Sequence, residues 1–170
     1  VVNMKEQIKK IPIYVYYLTI ERQKDGKNVS SKYSMNEIIK IFSDMLKFTT
    51  MQKLTERRIN NESIEKVIWL DECFDLGNGN CNLIFKSAKY NHVRNEIDTE
   101  KMEHLGQRKR PQDGDEEKTH LCIRYTNDQL RFLAIHESNH YGITIKAIVD
   151  YLNSQFEKIN EKEGCDYLYK

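Results

Sequence analysis

The feature that most constrains this chain is a glycine-rich turn between two runs of strand-forming residues. The turn GNGN at residues 77–80 contains an Asn-Gly pair, which is typical of a tight hairpin because the central positions of such a turn need positive φ. Residues 66–76 and 81–90 on either side are rich in β-branched and aromatic side chains. The sequence therefore predicts an antiparallel hairpin at this point.

The simplest register for this hairpin pairs Leu76 with Cys81. Side chains of one face are then Ile68, Leu70, Phe74, Leu76, Cys81, Leu83 and Phe85. Cys73 points to the other face, so it cannot form a disulfide with Cys81. Glu72 falls on the apolar face in this register, so either a bulge intervenes or its carboxylate has a partner.

Further strands are indicated by composition and by alternation. Ile11–Ile20 is dense in β-branched and aromatic residues, with Pro12 near its beginning, and is expected to be a central strand. Thr119–Tyr125 alternates with the period of a half-buried strand. Cys165–Lys170 resembles the opening of another strand, which suggests that the chain is the N-terminal part of a longer protein.

Two amphipathic helices accompany these strands. Ser34 and Glu37 match a capping box, and apolar residues at helical spacing follow over Met35–Leu46. A second apolar stripe runs over Thr144–Ile159, with Thr144 as the N-cap and Gly164 as the residue expected to end the helix. Lys53–Ile59 is read as a short strand or a loop. The fold expected is α+β, an antiparallel sheet of five to seven strands built from hairpins and packed by these two helices.

Length and charge limit what the protein can be. The 170 residues are expected to form a single domain over residues 4–170. Lys and Arg number 27 against 26 Asp and Glu, so a net charge of +1 provides no global basic field for a nucleic acid or an anionic membrane. No apolar run approaches the roughly 20 residues that span a bilayer. The expected location is the cytoplasm, without membrane contact.

The string HESNH at residues 136–140 matches H-E-x-x-H. On a helix this pattern places His136 and His140 on one face as zinc ligands, with Glu137 as the catalytic general base. However, residues 129–137 alternate like a strand, and a turn signal follows them directly. We therefore interpret the segment as strand, turn and helix, and keep a zinc-dependent hydrolase as the alternative.

A basic stretch followed by an acidic one indicates a long charged loop between residues 91 and 114. Its charges either neutralise one another in solvent or contact phosphate groups. The candidate nucleic-acid-binding residues are Arg94, Arg108, Lys109 and Arg110.

A third alternative is a metal-dependent nuclease. Asp71, Glu72 and Lys86 place carboxylates near a lysine, as such enzymes require. Their spacing fits no nuclease signature.

Four short segments carry a resemblance to other proteins: FKSAKY at 85–90, EKTH at 117–120, NHYGI at 139–143 and YLN at 151–153. In these the chain is similar to uncharacterised proteins of bacterial accessory genomes and prophages, some of them near phage-exclusion systems. The resemblance implies a mobile-element or phage-defence context and brings no catalytic motif. The function expected is a non-enzymatic accessory or interaction domain that binds a protein partner. The domain is also expected to contact nucleic acid through its basic loop.

Overall fold

The computed structural model describes residues 11–20, 22–24, 27–28, 34–90, 96–98, 100–106, 110, 113–126, 131–163 and 168–169. The strands are β1 (Ile13–Leu18), β2 (Arg22–Lys24), β3 (Lys27–Asn28), β4 (Ile59–Asn61), β5 (Lys66–Gly77), β6 (Asn80–Lys89), β7 (Glu96–Asp98), β8 (Glu103–Gly106), β9 (Glu116–Thr126), β10 (Arg131–Glu137) and β11 (Leu168–Tyr169). The helices are α1 (Met35–Met51), α2 (Leu54–Arg57) and α3 (Ile145–Glu163), and a 3-10 turn spans Glu62–Ile64.

A six-stranded antiparallel sheet forms the centre of the structure, in the order β1-β10-β9-β6-β5-β4. Buried side chains of β5, β6, β9 and β10 form one core with those of α1 and α3, so both helices cover the same face. Small sheets of β11-β2-β3 and of β7-β8 accompany it. The expected α+β class is confirmed, and β11 lies within the segment predicted to open another strand.

The predicted hairpin connects β5 and β6. Gly77, Asn78 and Gly79 all have positive φ, of 80°, 53° and 74°. A Cβ atom on Gly79 would lie 3.0 Å from Cγ1 of Ile39 and 3.2 Å from Cβ of Tyr125. Glycine is therefore required at position 79 both by the turn and by the close approach of the turn to α1.

The register of this hairpin differs from the predicted one. Asp75, not Leu76, lies opposite Cys81. A β-bulge between Leu70 and Glu72 changes which residues face the core from that point onwards. The bulge is one of the two solutions foreseen for Glu72, whose side chain is exposed.

The bulge also corrects the placement of three side chains. Phe74 and Leu76 were expected on the core face, but they are 48% and 55% exposed. Cys73 was expected on the face opposite Cys81, yet both residues line one cavity beside α1. An inserted residue exchanges the two faces of a strand, and the sequence pattern does not mark where it occurs.

Helix α1 begins with the predicted capping box. Ser34 Oγ accepts a hydrogen bond from the backbone N–H of Glu37 at 3.4 Å, and the Glu37 carboxylate accepts one from the N–H of Ser34 at 2.7 Å. The helix continues past Leu46 to Met51. Lys53–Ile59 was expected to be a strand or a loop, but most of it forms the single turn of α2, followed by the first residue of β4.

The segment containing HESNH is a strand, a turn and a helix, as predicted. Thr144 Oγ accepts a hydrogen bond from the N–H of Ala147 at 3.2 Å, as expected of the cap of α3. Before it, the N–H of Ile143 donates to Oγ1 of Thr119 at 3.1 Å, which ties the turn to β9. Gly164, expected to end this helix, lies outside the described residues.

Strand β1 lies at the edge of the sheet, which corrects the expectation of a central strand for Ile11–Ile20. It pairs with β10 on one side, and Tyr16 and Leu18 pack against the core. The expectation rested on a composition of β-branched and aromatic residues, which is common in strands with neighbours on both sides. The edge position is therefore unusual for this sequence.

Candidate interaction surface

The face of the main sheet opposite the helices, here called the outer face, carries an apolar patch at the β1 end. Cross-strand neighbours build it: Val15 lies opposite Ile135, and Ile135 lies opposite Cys122 on the next strand. Tyr17 lies opposite Leu133 in the adjacent row. The apolar patch consists of Ile13, Val15, Tyr17, Cys122, Leu133 and Ile135.

The patch is most exposed on β1 itself. Ile13, Val15 and Tyr17 are 67%, 59% and 61% exposed, whereas Leu133 and Ile135 are half-buried. Single exposed apolar residues are common, but three on successive positions of one strand face are not. The exposure therefore concentrates on the strand that also forms the edge.

The backbone of β1 presents hydrogen-bonding groups to this edge. In an antiparallel sheet, alternate residues of an outer strand direct N–H and C=O groups away from their only neighbour. Within the described residues, no strand pairs with β1 on the side away from β10. Edge strands are commonly protected by charged residues, but IYVYYL of β1 contains none.

The opposite edge of the sheet differs. Strand β4 spans only Ile59–Asn61, includes Asn60, and is followed by a 3-10 turn. Short, polar strands offer little template for pairing with another chain. Of the two edges of the main sheet, only the β1 edge combines length and apolar character with backbone groups that no described strand covers.

Two charged groups lie at opposite ends of the patch. The Arg131 guanidinium lies 5.5 Å from the centre of the Tyr17 ring, a distance suited to a cation–π contact. At the other end, the Glu137 carboxylate hydrogen-bonds with Nδ1 of His120. The outer face of β10 is therefore basic at its start, apolar in the middle and acidic at its end.

The carboxylates of the nuclease alternative lie elsewhere on the outer face. Lys86 Nζ lies 2.9 Å from Asp71 and 3.1 Å from Glu116, and these hydrogen bonds raise the pKa of Lys86. The Lys86 ammonium group therefore lies between the carboxylates of Asp71 and Glu116. Glu72, the other proposed carboxylate, is exposed beside the bulge.

The residues of the zinc alternative do not face one site. His136 is 3% exposed, and its Nε2 donates to the carbonyl oxygen of Ile143 at 3.0 Å. Glu137 follows it on the strand and so points to the opposite face, while His140 is exposed, with its ring against Tyr141. The part of the chain that the structure describes contains no group of three or more His, Cys, Asp or Glu able to hold a metal ion.

Most of the predicted basic loop is not described. Arg94, Arg108 and Lys109 lie outside the described residues. The Arg110 guanidinium donates two hydrogen bonds to the Asp113 carboxylate in a bidentate contact, from Nε at 3.1 Å and from Nη2 at 2.9 Å. Contact with nucleic acid through this loop stays a prediction.

A cavity of about 120 Å³ lies beside α1, at the end of the β5–β6 hairpin. Burial raises the pKa of the Cys81 thiol to about 12 and also raises that of Cys73. Both cysteines therefore remain neutral thiols near pH 7. Small-molecule sites are commonly about 300 Å³ or larger, so this cavity does not suit a cofactor.

Comparison with protein-family models, with curated proteins and with solved structures returns no match to this chain. None of the helices in the described ranges has the length and apolar character to cross a membrane.

Strand β1 was not recognised from the sequence as part of a candidate interaction surface. Its residues were recognised as a strand, but its position in the sheet was wrong. A signal was present, since a strand without charge is suited to having neighbours on both sides. Only the strand order shows that one neighbour is missing.

Proposed function

We propose that this protein is a non-enzymatic interaction domain that binds a protein partner by strand addition at the free edge of β1. The observation that carries the proposal is an uncharged edge with which no strand of the described ranges pairs, combined with 67%, 59% and 61% exposure of Ile13, Val15 and Tyr17. Strand addition supplies backbone hydrogen bonds at the edge, while pockets and patches beside it select side chains. The apolar patch gives such a partner a surface next to the edge.

A role in a mobile-element or phage-defence system belongs to the same proposal, and the resemblance of four short segments supports it. An accessory domain of this kind acts by holding another protein, so it needs an exposed surface more than it needs a reactive group.

Site-specific photo-crosslinking in the native cell tests the proposal. Benzoylphenylalanine replaces Tyr17, which keeps an aromatic ring at the edge, and in a matched control it replaces Met51, which is 86% exposed at the end of α1. We expect a discrete adduct from position 17 and none of the same mass from position 51. Adding Val15→Lys to the position-17 chain should suppress the adduct, because a lysine on the edge opposes strand pairing.

Two results would overturn the proposal. One is the absence of any adduct from position 17. The other is the same set of adducts from positions 17 and 51, since these would reflect random encounters.

A further inference from the structure

We infer that the partner of β1 is a second copy of this chain, joined by antiparallel pairing of the two β1 strands about a two-fold axis. The inference rests on the proposed function, because it identifies the strand that is added at the edge. In such a dimer the two main sheets would become one continuous sheet, with β1 at its centre. The central-strand composition of β1 would then match its position.

The strand is self-complementary in this arrangement. With Val15 opposite Val15 of the second copy, Ile13 lies opposite Tyr17 of that copy, and the same contact repeats on the other side of the axis. Directly opposed residues share a face of an antiparallel sheet, so the two apolar patches become contiguous. The pairing thus places a β-branched side chain opposite an aromatic one twice.

Charges at the ends of the patch favour the same orientation. Glu137 lies opposite Ile13 on the neighbouring strand, and the Arg131 guanidinium lies over the ring of Tyr17. Antiparallel pairing brings the Ile13 end of one copy to the Tyr17 end of the other. The carboxylate of each copy then lies toward the guanidinium of the other across the two paired β1 strands, so unlike charges approach each other at both ends of the interface.

The available area indicates a weak dimer. Ile13, Tyr14, Val15 and Tyr17 are each at least half exposed. Covering them in both copies removes at most on the order of 1,000 Å² from water, which is near the lower limit of specific interfaces. We therefore expect dissociation in the micromolar range or above, and closure at two copies, because the two-fold pairing occupies both free edges.

Sedimentation of the purified chain over about a hundredfold range of concentration tests the inference. We expect a monomer–dimer equilibrium for the wild-type chain. Val15→Lys should weaken it by about tenfold or more, because two ammonium groups would lie directly opposite each other. Leu76→Lys is the matched control, since Leu76 is 55% exposed on β5 away from this edge, and its dimerisation should be unchanged.

Mixing complementary variants tests the register. Val15→Lys and Val15→Glu chains should each sediment as monomers but associate when combined, because only the mixed pair opposes unlike charges at position 15. Circular dichroism and thermal melting identify a variant that fails to fold, and restored association in the mixture excludes misfolding as the cause.

Three outcomes overturn the inference: a wild-type chain that stays monomeric, species larger than a dimer, or mixed variants that do not associate. Failure of the proposed function is distinguishable. A monomeric chain whose position-17 photo-crosslinker still captures a different protein would retain the interaction domain and reject the second copy as its partner.

Discussion

The ring of His136 is held in a neutral state by its surroundings. Its Nε2–H group donates to the carbonyl oxygen of Ile143, while Nδ1 is buried and has no hydrogen-bond partner among the described residues. Burial lowers the pKa of His136 from the usual 6.5, although the Ile143 carbonyl opposes this change. Protonation of the ring would place a second proton on Nδ1, where the new N–H group would have no acceptor among the described residues. Protonation of His136 therefore disfavours the folded state.

This arrangement gives stability a defined pH dependence. Because the pKa is lower in the folded chain, the unfolded chain binds more protons below pH 6.5, and the free energy of unfolding falls as pH decreases through that range. The contribution of His136 is at most about 1.4 kcal/mol per pH unit. Urea unfolding between pH 7.5 and 5.5 should show a shallower decline for His136→Gln than for the wild-type chain.

The exposed neighbour His140 supplies the control for this measurement. His140→Gln should keep the wild-type pH dependence, because the substitution removes an exposed side chain and leaves the buried ring of His136 unchanged. Equal slopes for the wild-type chain and for His136→Gln would show that the buried ring does not titrate as described.

At the scale of single elements, local sequence patterns predict the strands and the turn of the β5–β6 hairpin but not its bulge. Both strands, the tight turn and the capping box of α1 follow from local residue preferences, so the sequence was sufficient to predict them. The bulge after Leu70 inserts one residue into β5 relative to β6, and this insertion exchanges Phe74 and Cys73 between the two faces of the sheet. Neighbours distant in sequence decide such a shift.

Two phenylalanines in this hairpin test the bulge. Phe85 is 0% exposed and packs edge-on against Tyr151 of α3, with ring centres 5.5 Å apart, whereas Phe74 is 48% exposed. Phe85→Ala should lower the free energy of unfolding by about 3–5 kcal/mol through loss of burial and a residual cavity. Phe74→Ala should lower it by less than about 1 kcal/mol.

Urea unfolding followed by tryptophan fluorescence measures both variants. Similar large losses for the two would place Phe74 in the core, as in the register without a bulge, and would contradict the structure.

For the whole molecule, the order of the strands determines where stability is concentrated. Strands β6 and β9 have a neighbour on each side and are covered by the helices on their inner face. Strand β1 combines a central-strand composition with an edge position. The sequence predicted the two long helices, the β5–β6 hairpin and the strand character of β1, but strand order depends on long-range pairing that no local pattern encodes. Because strand order could not be predicted, the free edge of β1 was not recognised from the sequence as a candidate site.

Hydrogen exchange of the Val15→Lys chain tests this distribution of stability without the contribution of self-association. Amides of β6 and β9 should exchange slowest, at rates set by global unfolding, because opening them breaks pairs on both sides. In β1, amides bonded to β10 should be protected, while the alternating amides at the free edge should exchange almost as fast as in an unfolded chain. Protection of every β1 amide in this variant would mean that another segment of the chain pairs with the edge, and it would remove the surface on which both proposals depend.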